Sequence, residues 1–213
     1  MQKYRYYSGG DMSRNVKFIF VLIAFAFIIP MAMYLFIPKP DLPQAEVKTP
    51  VSVEEIWKVF SSKRFTVELP GQPHHAHETS TMPGSKDKIG YDMYVTQSRL
   101  GTTFMINVIE YPPSFNTDSS DSVLTTVLND IMAGNESNTV RHKEFSSFLD
   151  FPSIEFVLSN TQGSLRVRAF LRDKTLFILS VADTDIDALD QTFSKFVKSF
   201  QLKTYNENSL PAS

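Results

Sequence analysis

The chain has 213 residues, which is enough for one ordinary globular domain with an appended segment. Its 42% hydrophobic and 21% charged residues are typical of a folded protein and argue against long disorder. The net charge of −2 gives no general electrostatic reason to bind nucleic acid, and the absence of Cys excludes disulfides, thiolate metal ligands and a cysteine nucleophile.

Residues 18–37, from Phe18 to Ile37, contain no charged side chain. Their number matches the ~20 residues that a helix needs to cross a bilayer core of about 30 Å. Pro30 lies inside the run, where a transmembrane helix tolerates it better than a soluble one. A cleaved signal peptide would have a shorter apolar region followed by small residues, which are missing here. The run therefore predicts an uncleaved single-pass signal-anchor in the lipid bilayer.

The flanking charges predict the orientation of this anchor. Residues 1–17 carry four basic side chains and one acidic one, a net +3, while the remaining 17 basic and 22 acidic residues give −5. By the positive-inside rule, residues 1–17 stay in the cytoplasm and the larger part is translocated. A translocated domain without Cys fits the bacterial periplasm, so the expected location is the bacterial inner membrane.

The exported part divides into a spacer, a domain and a tail. Residues 38–51 form a Pro-rich spacer, with four prolines in positions 38–50 and no hydrophobic period. Residues 52–203 carry the periodic patterns of a folded domain. Residues 204–213 are polar and are expected to form a flexible tail.

The domain opens with a pattern that predicts a short helix at residues 52–60. Ser52 and Glu55 have the spacing of a capping box. Apolar residues follow at helical spacing, namely Val53, Ile56, Trp57 and Phe60.

Alternating patterns predict eight strands, at about 65–69, 73–82, 89–98, 102–111, 138–147, 152–160, 163–172 and 175–182. The strand at 102–111 is apolar on both faces, which predicts a central position in the sheet. Its two faces carry Phe104, Ile106 and Val108 on one side and Met105, Ile109 and Tyr111 on the other.

Two further helices are predicted. One begins in the cap cluster at residues 118–122 and ends at Gly134. The other begins near Asp185 and has one apolar face, made of Ile186, Leu189, Phe193, Phe196, Val197 and Phe200. Helices between runs of strands indicate an α+β domain with an antiparallel β-sheet covered by helices.

The stretch FTVELPGQP at residues 65–73 resembles the opening F-x-V-x-x-P-G-x-P of PsbP/Mog1-like domains. Residues 165–170, 176–181 and 193–200 are similar to the last strands and helix of that group. The resemblance covers about residues 53–203. It implies a non-enzymatic binding scaffold, fixes no partner, and carries over no functional residue.

Three of the four histidines lie close together, at residues 74, 75 and 77. In a strand, His75 and His77 share one face and His74 points to the other, so only one pair can chelate an ion such as Zn or Cu. His142 would complete a site only if the fold brought its strand alongside. Solvated histidines at the start of a strand remain the competing interpretation.

A second cluster is basic. Arg166, Arg168 and Arg172 lie on one face of a predicted strand, with Phe170 between them. Such a row can bind an anion or an acidic partner surface. Solvated charges on an outer face are the alternative interpretation.

Other chemistry finds no support in the sequence. The acidic run at residues 183–190 lacks the Gly and the Glu that a calcium loop needs, and is better read as a helix cap. No serine nucleophile elbow, H-E-x-x-H or phosphate-binding loop occurs. The sequence therefore predicts a membrane-anchored extracytoplasmic interaction or scaffold module with a protein partner in a bacterial envelope or secretion assembly. The alternative is a metal- or small-ligand-binding periplasmic protein that uses His75 and His77, and an enzyme ranks last.

Overall fold

The computed structural model describes residues 55–82 and 85–203. The predicted cytoplasmic segment 1–17, anchor 18–37, spacer 38–51 and tail 204–213 lie outside the described residues. In the described ranges, no helix has the length and apolar character needed to span a bilayer.

The described part contains ten strands and two helices. In chain order they are β1 (Lys58–Ser61), β2 (Phe65–Leu69), β3 (His74–Thr81), β4 (Lys88–Gln97), β5 (Thr103–Glu110), α1 (Ser120–Ala133), β6 (Thr139–Phe148), β7 (Phe151–Asn160), β8 (Gly163–Arg172), β9 (Thr175–Asp183), α2 (Ile186–Ser199) and β10 (Gln201–Leu202). The predicted α+β class with an antiparallel sheet is confirmed.

A seven-stranded antiparallel sheet forms the centre of the domain, in the order β3-β4-β5-β9-β8-β7-β6. Two meanders, β3-β4-β5 and β6-β7-β8-β9, join where β5 pairs with β9, with Phe104 opposite Val181. Seven of the eight residues of β5 are buried, which confirms its predicted central position. The sheet ends in two outer strands, β3 and β6.

Each face of this sheet has its own hydrophobic core. On the first face, called the α1 face, helix α1 packs on β7 and β8 and buries Leu124 and Val127. On the opposite face, called the α2 face, helix α2 and the small sheet β1-β2-β10 cover an aromatic cluster around Phe170 and Phe200. The fold is thus three layers, in which the central sheet is buried on both sides.

The helix predicted at residues 52–60 is wrong for residues 58–60, which belong to strand β1 and pair with β2, while residues 52–54 lie outside the described residues. Phe60 lies opposite Val67, and its ring packs against Tyr94 at 5.5 Å between centroids. An added strand gives β2 a partner for its backbone groups, and a single helical turn would give it none. These tertiary contacts outweigh a weak helical pattern of four apolar residues.

Helix α2 confirms the cap interpretation of the acidic run. The side chain of Asp185 accepts hydrogen bonds from the backbone N–H groups of Asp187, at 2.9 Å, and Ala188, at 3.3 Å. Of the six expected apolar residues, five are buried, although Phe200 lies just past Ser199, the last residue of the helix. Ile186 lies in the first turn and is 49% exposed, because the helix begins beyond the edge of the core.

Candidate functional site

His75 and His77 lie on one face of the outer strand β3, as the alternation predicted. The register pairs His75 with Tyr94 and His77 with Asp92 of β4. His74 pairs with Val95 and belongs to the other face. The His75 ring also stacks on the Tyr94 ring, with centroids 4.4 Å apart and planes 9° from parallel. This stacking holds the imidazole parallel to the Tyr94 ring.

The two imidazoles converge on one carboxylate oxygen. Oδ1 of Asp92 lies 2.8 Å from Nε2 of His75 and 3.0 Å from Nδ1 of His77. For both contacts to be hydrogen bonds, each of these nitrogens must carry its proton and donate to Asp92. In neutral imidazoles, Nδ1 of His75 and Nε2 of His77 then keep their lone pairs, which lie on the sides of the rings away from Asp92. Asp92 therefore fixes the orientation of both rings through hydrogen bonds.

The predicted third ligand is not brought to this pair. His142 lies on β6, at the opposite edge of the sheet from β3. Across residues 55–82 and 85–203, no group of three or more His, Asp or Glu side chains is arranged to hold a metal ion. What the fold offers is an oriented two-histidine pair, and an ion bound there would complete its coordination with other ligands.

The three predicted arginines do share one face of β8, and two of them are held by a buried carboxylate. Glu155 on β7 lies directly opposite Arg168, and its side chain is only 8% exposed. Arg166 Nε donates to Glu155 Oε1 at 3.0 Å, and Arg168 donates to Oε2 of the same carboxylate. Arg166 also pairs with Asp190 of α2. Two guanidinium groups thus meet two carboxylates, and the cluster carries no net charge.

The pKa of Glu155 is determined by two opposing effects, its burial and its contacts with the two arginines. Burial alone would raise the pKa of the carboxyl group. Hydrogen bonds from Arg166 and Arg168, together with their charges, outweigh burial and hold the pKa below its ordinary value. Glu155 is therefore ionised at neutral pH and occupies the position that an external anion would need.

Arg172 stands apart from this cluster. Its guanidinium lies over the Phe151 ring at 5.9 Å and donates from Nη1 to the backbone oxygen of Lys203 at 3.4 Å. Its contact with Asp173 is long, at 3.9 Å, and Asp173 is exposed. The predicted row of three arginines is thus divided into an internal ion-pair cluster and one separate, partly exposed residue.

Among the described residues, four of the five buried side-chain polar atoms without a hydrogen-bond partner lie on the α1 face of the sheet, and the fifth, Arg168 Nε, lies on the α2 face. Within the described residues, Tyr111 OH, Asn107 Nδ2 and Asp130 Oδ2 are buried and make no hydrogen bond. Burial raises the pKa of Asp130 to about 7. Burial likewise raises the pKa of Tyr111 well above its usual range, and Tyr91 and Asp130 raise it further. Such groups destabilise the fold and are coupled to pH.

The outer strand β6 is the most apolar exposed edge. Nine of its ten residues are exposed, and they include Val140 at 44% and Phe145 at 42%. Leu149, in the turn that follows, is 39% exposed. The other outer strand, β3, has seven of eight residues exposed but no large apolar side chain among them.

Sequence reasoning missed Asp92, Glu155 and Asp130. The pairing of Glu155 could have been predicted from the turn between β7 and β8. Asn160 pairs with Gly163 across this two-residue turn, and the resulting register places residue 155 opposite residue 168. Gly163 has φ +144°, and a Cβ atom there would lie 2.6 Å from the backbone oxygen of Asp183. Asp92 gave no comparable signal, because the connection between β3 and β4 is longer and leaves their register open.

No family model matches the chain, and a comparison with curated proteins finds no match. Among solved structures, the chain is similar to the solution structure of cyanobacterial PsbP (CyanoP) from Synechocystis sp. PCC 6803. The identity is 11% and the TM-score 0.44, and the match covers 78% of this chain and 100% of that one. No residue role in this chain follows from the match.

Proposed function

We propose that the chain is a binding module with a protein partner and performs no catalysis. One observation carries the proposal, namely that a sheet buried on both faces ends in two open edge strands whose side chains are almost all exposed. Open edges of this kind offer backbone donors and acceptors to another chain. Natural proteins usually cover or shorten long exposed edges, so β6, with ten residues, fits a role in contact with a partner.

The proposal includes the anchor and the location. The uncharged run at residues 18–37 would hold the module in a bacterial inner membrane, with residues 1–17 in the cytoplasm and the spacer 38–51 lifting the domain from the surface. A PsbP/Mog1-like scaffold, suggested by FTVELPGQP at residues 65–73, agrees with a module of this type. The partner would then belong to an envelope or secretion assembly.

Two reporter fusions after Ser213 test the topology. Alkaline phosphatase is expected to be active there, and a fluorescent protein that folds only in the cytoplasm is expected to be dark. An inactive phosphatase together with a bright fluorescent protein would overturn the location.

Crosslinking in intact cells, followed by purification of the full chain, tests the binding role. We expect one protein to be recovered in a fixed ratio with the chain and to be lost when β6 is altered. Recovery of the chain alone, after crosslinking that captures a known envelope complex in the same cells, would contradict the role.

A second candidate function rests on the convergence of His75 and His77 on Asp92. The two nitrogens that converge are those that face Asp92, so a borderline ion such as Zn²⁺ or Cu²⁺ would replace the protons on Nε2 of His75 and Nδ1 of His77 and lie beside the carboxylate. The chain would then be a metal- or small-ligand-binding periplasmic protein.

Titration of the full chain with Zn²⁺ and Cu²⁺ separates this candidate from solvated histidines. A His75→Ala, His77→Ala variant is expected to lose affinity, and Asp92→Asn to weaken it by about 10-fold or more, because it removes a negative charge beside the ion. The matched control is His74→Ala, because His74 lies on the same strand but faces the other way. Equal affinity in all four proteins would remove the candidate.

A further inference from the structure

Strand β6 combines an open backbone edge with an ordered arrangement of side chains. It pairs with β7 alone, and a bulge between Val140 and His142 interrupts the ladder near its start. The regular part, from His142 to Phe148, pairs residue by residue with β7. This part is long enough to receive one added strand of about six or seven residues.

Side chains of opposite character follow each other along one face of this edge. Lys143 and Phe145 pair with Phe156 and Ile154 of β7, and therefore both point to the α1 face. The Lys143 ammonium lies 5.9 Å from the centre of the Phe145 ring. A strand added to β6 would meet a positive charge and, two positions along, a half-exposed aromatic ring.

Charge on this edge is mainly basic. Arg141 and Lys143 are opposed only by Glu144, which points to the α2 face next to His142. The α1 face of β6 thus presents basic and aromatic side chains without an acidic one. An acidic residue on an incoming strand would be attracted there, and a basic one repelled.

The turn after β6 adds an exposed leucine to the apolar surface and places it at a strained backbone position. Phe148 pairs with Phe151, so Leu149 and Asp150 form a two-residue turn, and both have positive φ, at 51° and 68°. Asn or Gly would adopt this backbone more easily than Leu. An exposed leucine at a strained position fits a surface that another molecule covers.

From these observations we propose that β6 binds an extended segment of a protein partner as an added strand, and that this segment carries an acidic residue two positions from an apolar one. The inference rests on the proposed binding function and names its surface and the chemistry of its partner. The acidic residue pairs with Lys143, and the apolar one covers Phe145. Backbone hydrogen bonds to β6 supply the part of the affinity that does not depend on the partner's sequence. The other edge, β3, lacks this pattern, because its exposed residues are polar.

A synthetic peptide tests the mode of binding. The probe is an eight-residue fluorescent peptide that carries glutamate and isoleucine two positions apart, flanked by threonines. Only alternate backbone N–H groups of an added strand point toward its neighbour. We therefore expect that N-methylation of one alternate set abolishes binding to the full chain and that N-methylation of the other set does not. Equal binding of both N-methylated peptides would overturn strand addition.

Variants test the surface. Lys143→Glu is expected to lower the affinity for the probe by about 10-fold or more through like-charge repulsion. Phe145→Thr is expected to lower it by about 10-fold through lost apolar burial. Lys86→Glu is the matched charge reversal, at an exposed position away from β6, and is expected to leave affinity unchanged. A probe with lysine in place of glutamate should bind Lys143→Glu better than the unaltered chain. This rescue would show that the variant is folded.

The cellular experiment separates this inference from the wider proposal. If crosslinking recovers a partner and Lys143→Glu with Phe145→Thr releases it, both hold. If the partner stays bound to this double variant, the chain is still a binding module, and β6 is not its surface. If no partner is recovered and no probe binds, both the inference and the binding function are overturned.

Discussion

Glu144 and Glu155 lie directly opposite each other on β6 and β7, yet only Glu155 is buried. Like charges in this position repel each other. The arrangement is stable because Arg166 and Arg168 neutralise Glu155 from the other side, whereas Glu144 faces solvent. The row of arginines that suggested an anion site is therefore explained first by an internal partner.

We expect Glu155→Gln to lower the free energy of unfolding by about 2–3 kcal/mol, because Arg168 loses its carboxylate and Arg166 keeps only the exposed Asp190. Glu144→Gln is the matched control and is expected to change the free energy by less than about 0.5 kcal/mol. Urea unfolding of the full chain in a non-ionic detergent, followed by the fluorescence of the sole tryptophan, Trp57, measures both. Equal effects of the two substitutions would contradict the role assigned to Glu155.

At acidic pH, the stabilisation provided by the Glu155 carboxylate should be lost. Because the pKa of Glu155 is lower in the folded protein, its contribution is complete above the ordinary pKa of 4.5 and is lost as the pH falls through the folded value. The difference between the unaltered chain and Glu155→Gln is therefore expected to shrink as the pH falls below 4.5. A difference that stayed constant from pH 7 to acid would exclude this linkage.

Asp130 should have the opposite pH dependence. Its pKa is raised to about 7 in the folded protein, so its neutral form stabilises the fold below the ordinary value of 3.8, and this contribution is lost as the pH rises to about 7. We expect Asp130→Asn to stabilise the chain more at pH 8 than at pH 5. Asp121→Asn, on the same helix but exposed, is the control for general charge effects. The same stabilisation at both pH values would show that Asp130 titrates normally.

The sequence predicted the long elements well and their long-range pairing poorly. Strands β3 to β9 and both described helices follow from strong local periodicity. The pairing of β5 with β9 joins residues about 70 positions apart, for which no local pattern exists. Strand β1 was mistaken for a helix because its identity depends on β2 and Tyr94, which it contacts in space.

The same distinction applies to the candidate sites. That His75 and His77 share a face follows from the period of a strand, whereas Asp92 becomes their partner only through the register with β4. The single-sided row of arginines was likewise predictable. Its neutralisation by Glu155 depends on the adjacent strand β7. It could be predicted only by extending the pairing of β7 and β8 from the two-residue turn that joins them.

Helix α2 offers a test of how burial, rather than periodicity, determines stability. Phe200 and Ile186 were both predicted on its apolar face, but Phe200 is 2% exposed and stacks on Phe65 at 5.1 Å. We expect Phe200→Ala to lower the free energy of unfolding by about 3–5 kcal/mol, because apolar burial is lost and a cavity is left. Ile186→Ala is expected to cost less than about 0.5 kcal/mol. Similar losses in urea unfolding would mean that Ile186 is buried after all.

Leu149 should show a conflict between stability and binding. Leu149→Asn relieves the strain of positive φ and is expected to raise the free energy of unfolding by about 0.5–1 kcal/mol. Leu149→Ala removes the same exposed side chain but keeps the strain, so it should not stabilise the chain. If both variants also bind the acidic and apolar probe more weakly, the leucine is retained for contact at the expense of stability. Stabilisation by Ala as well as Asn would instead attribute the effect to removal of an exposed apolar side chain.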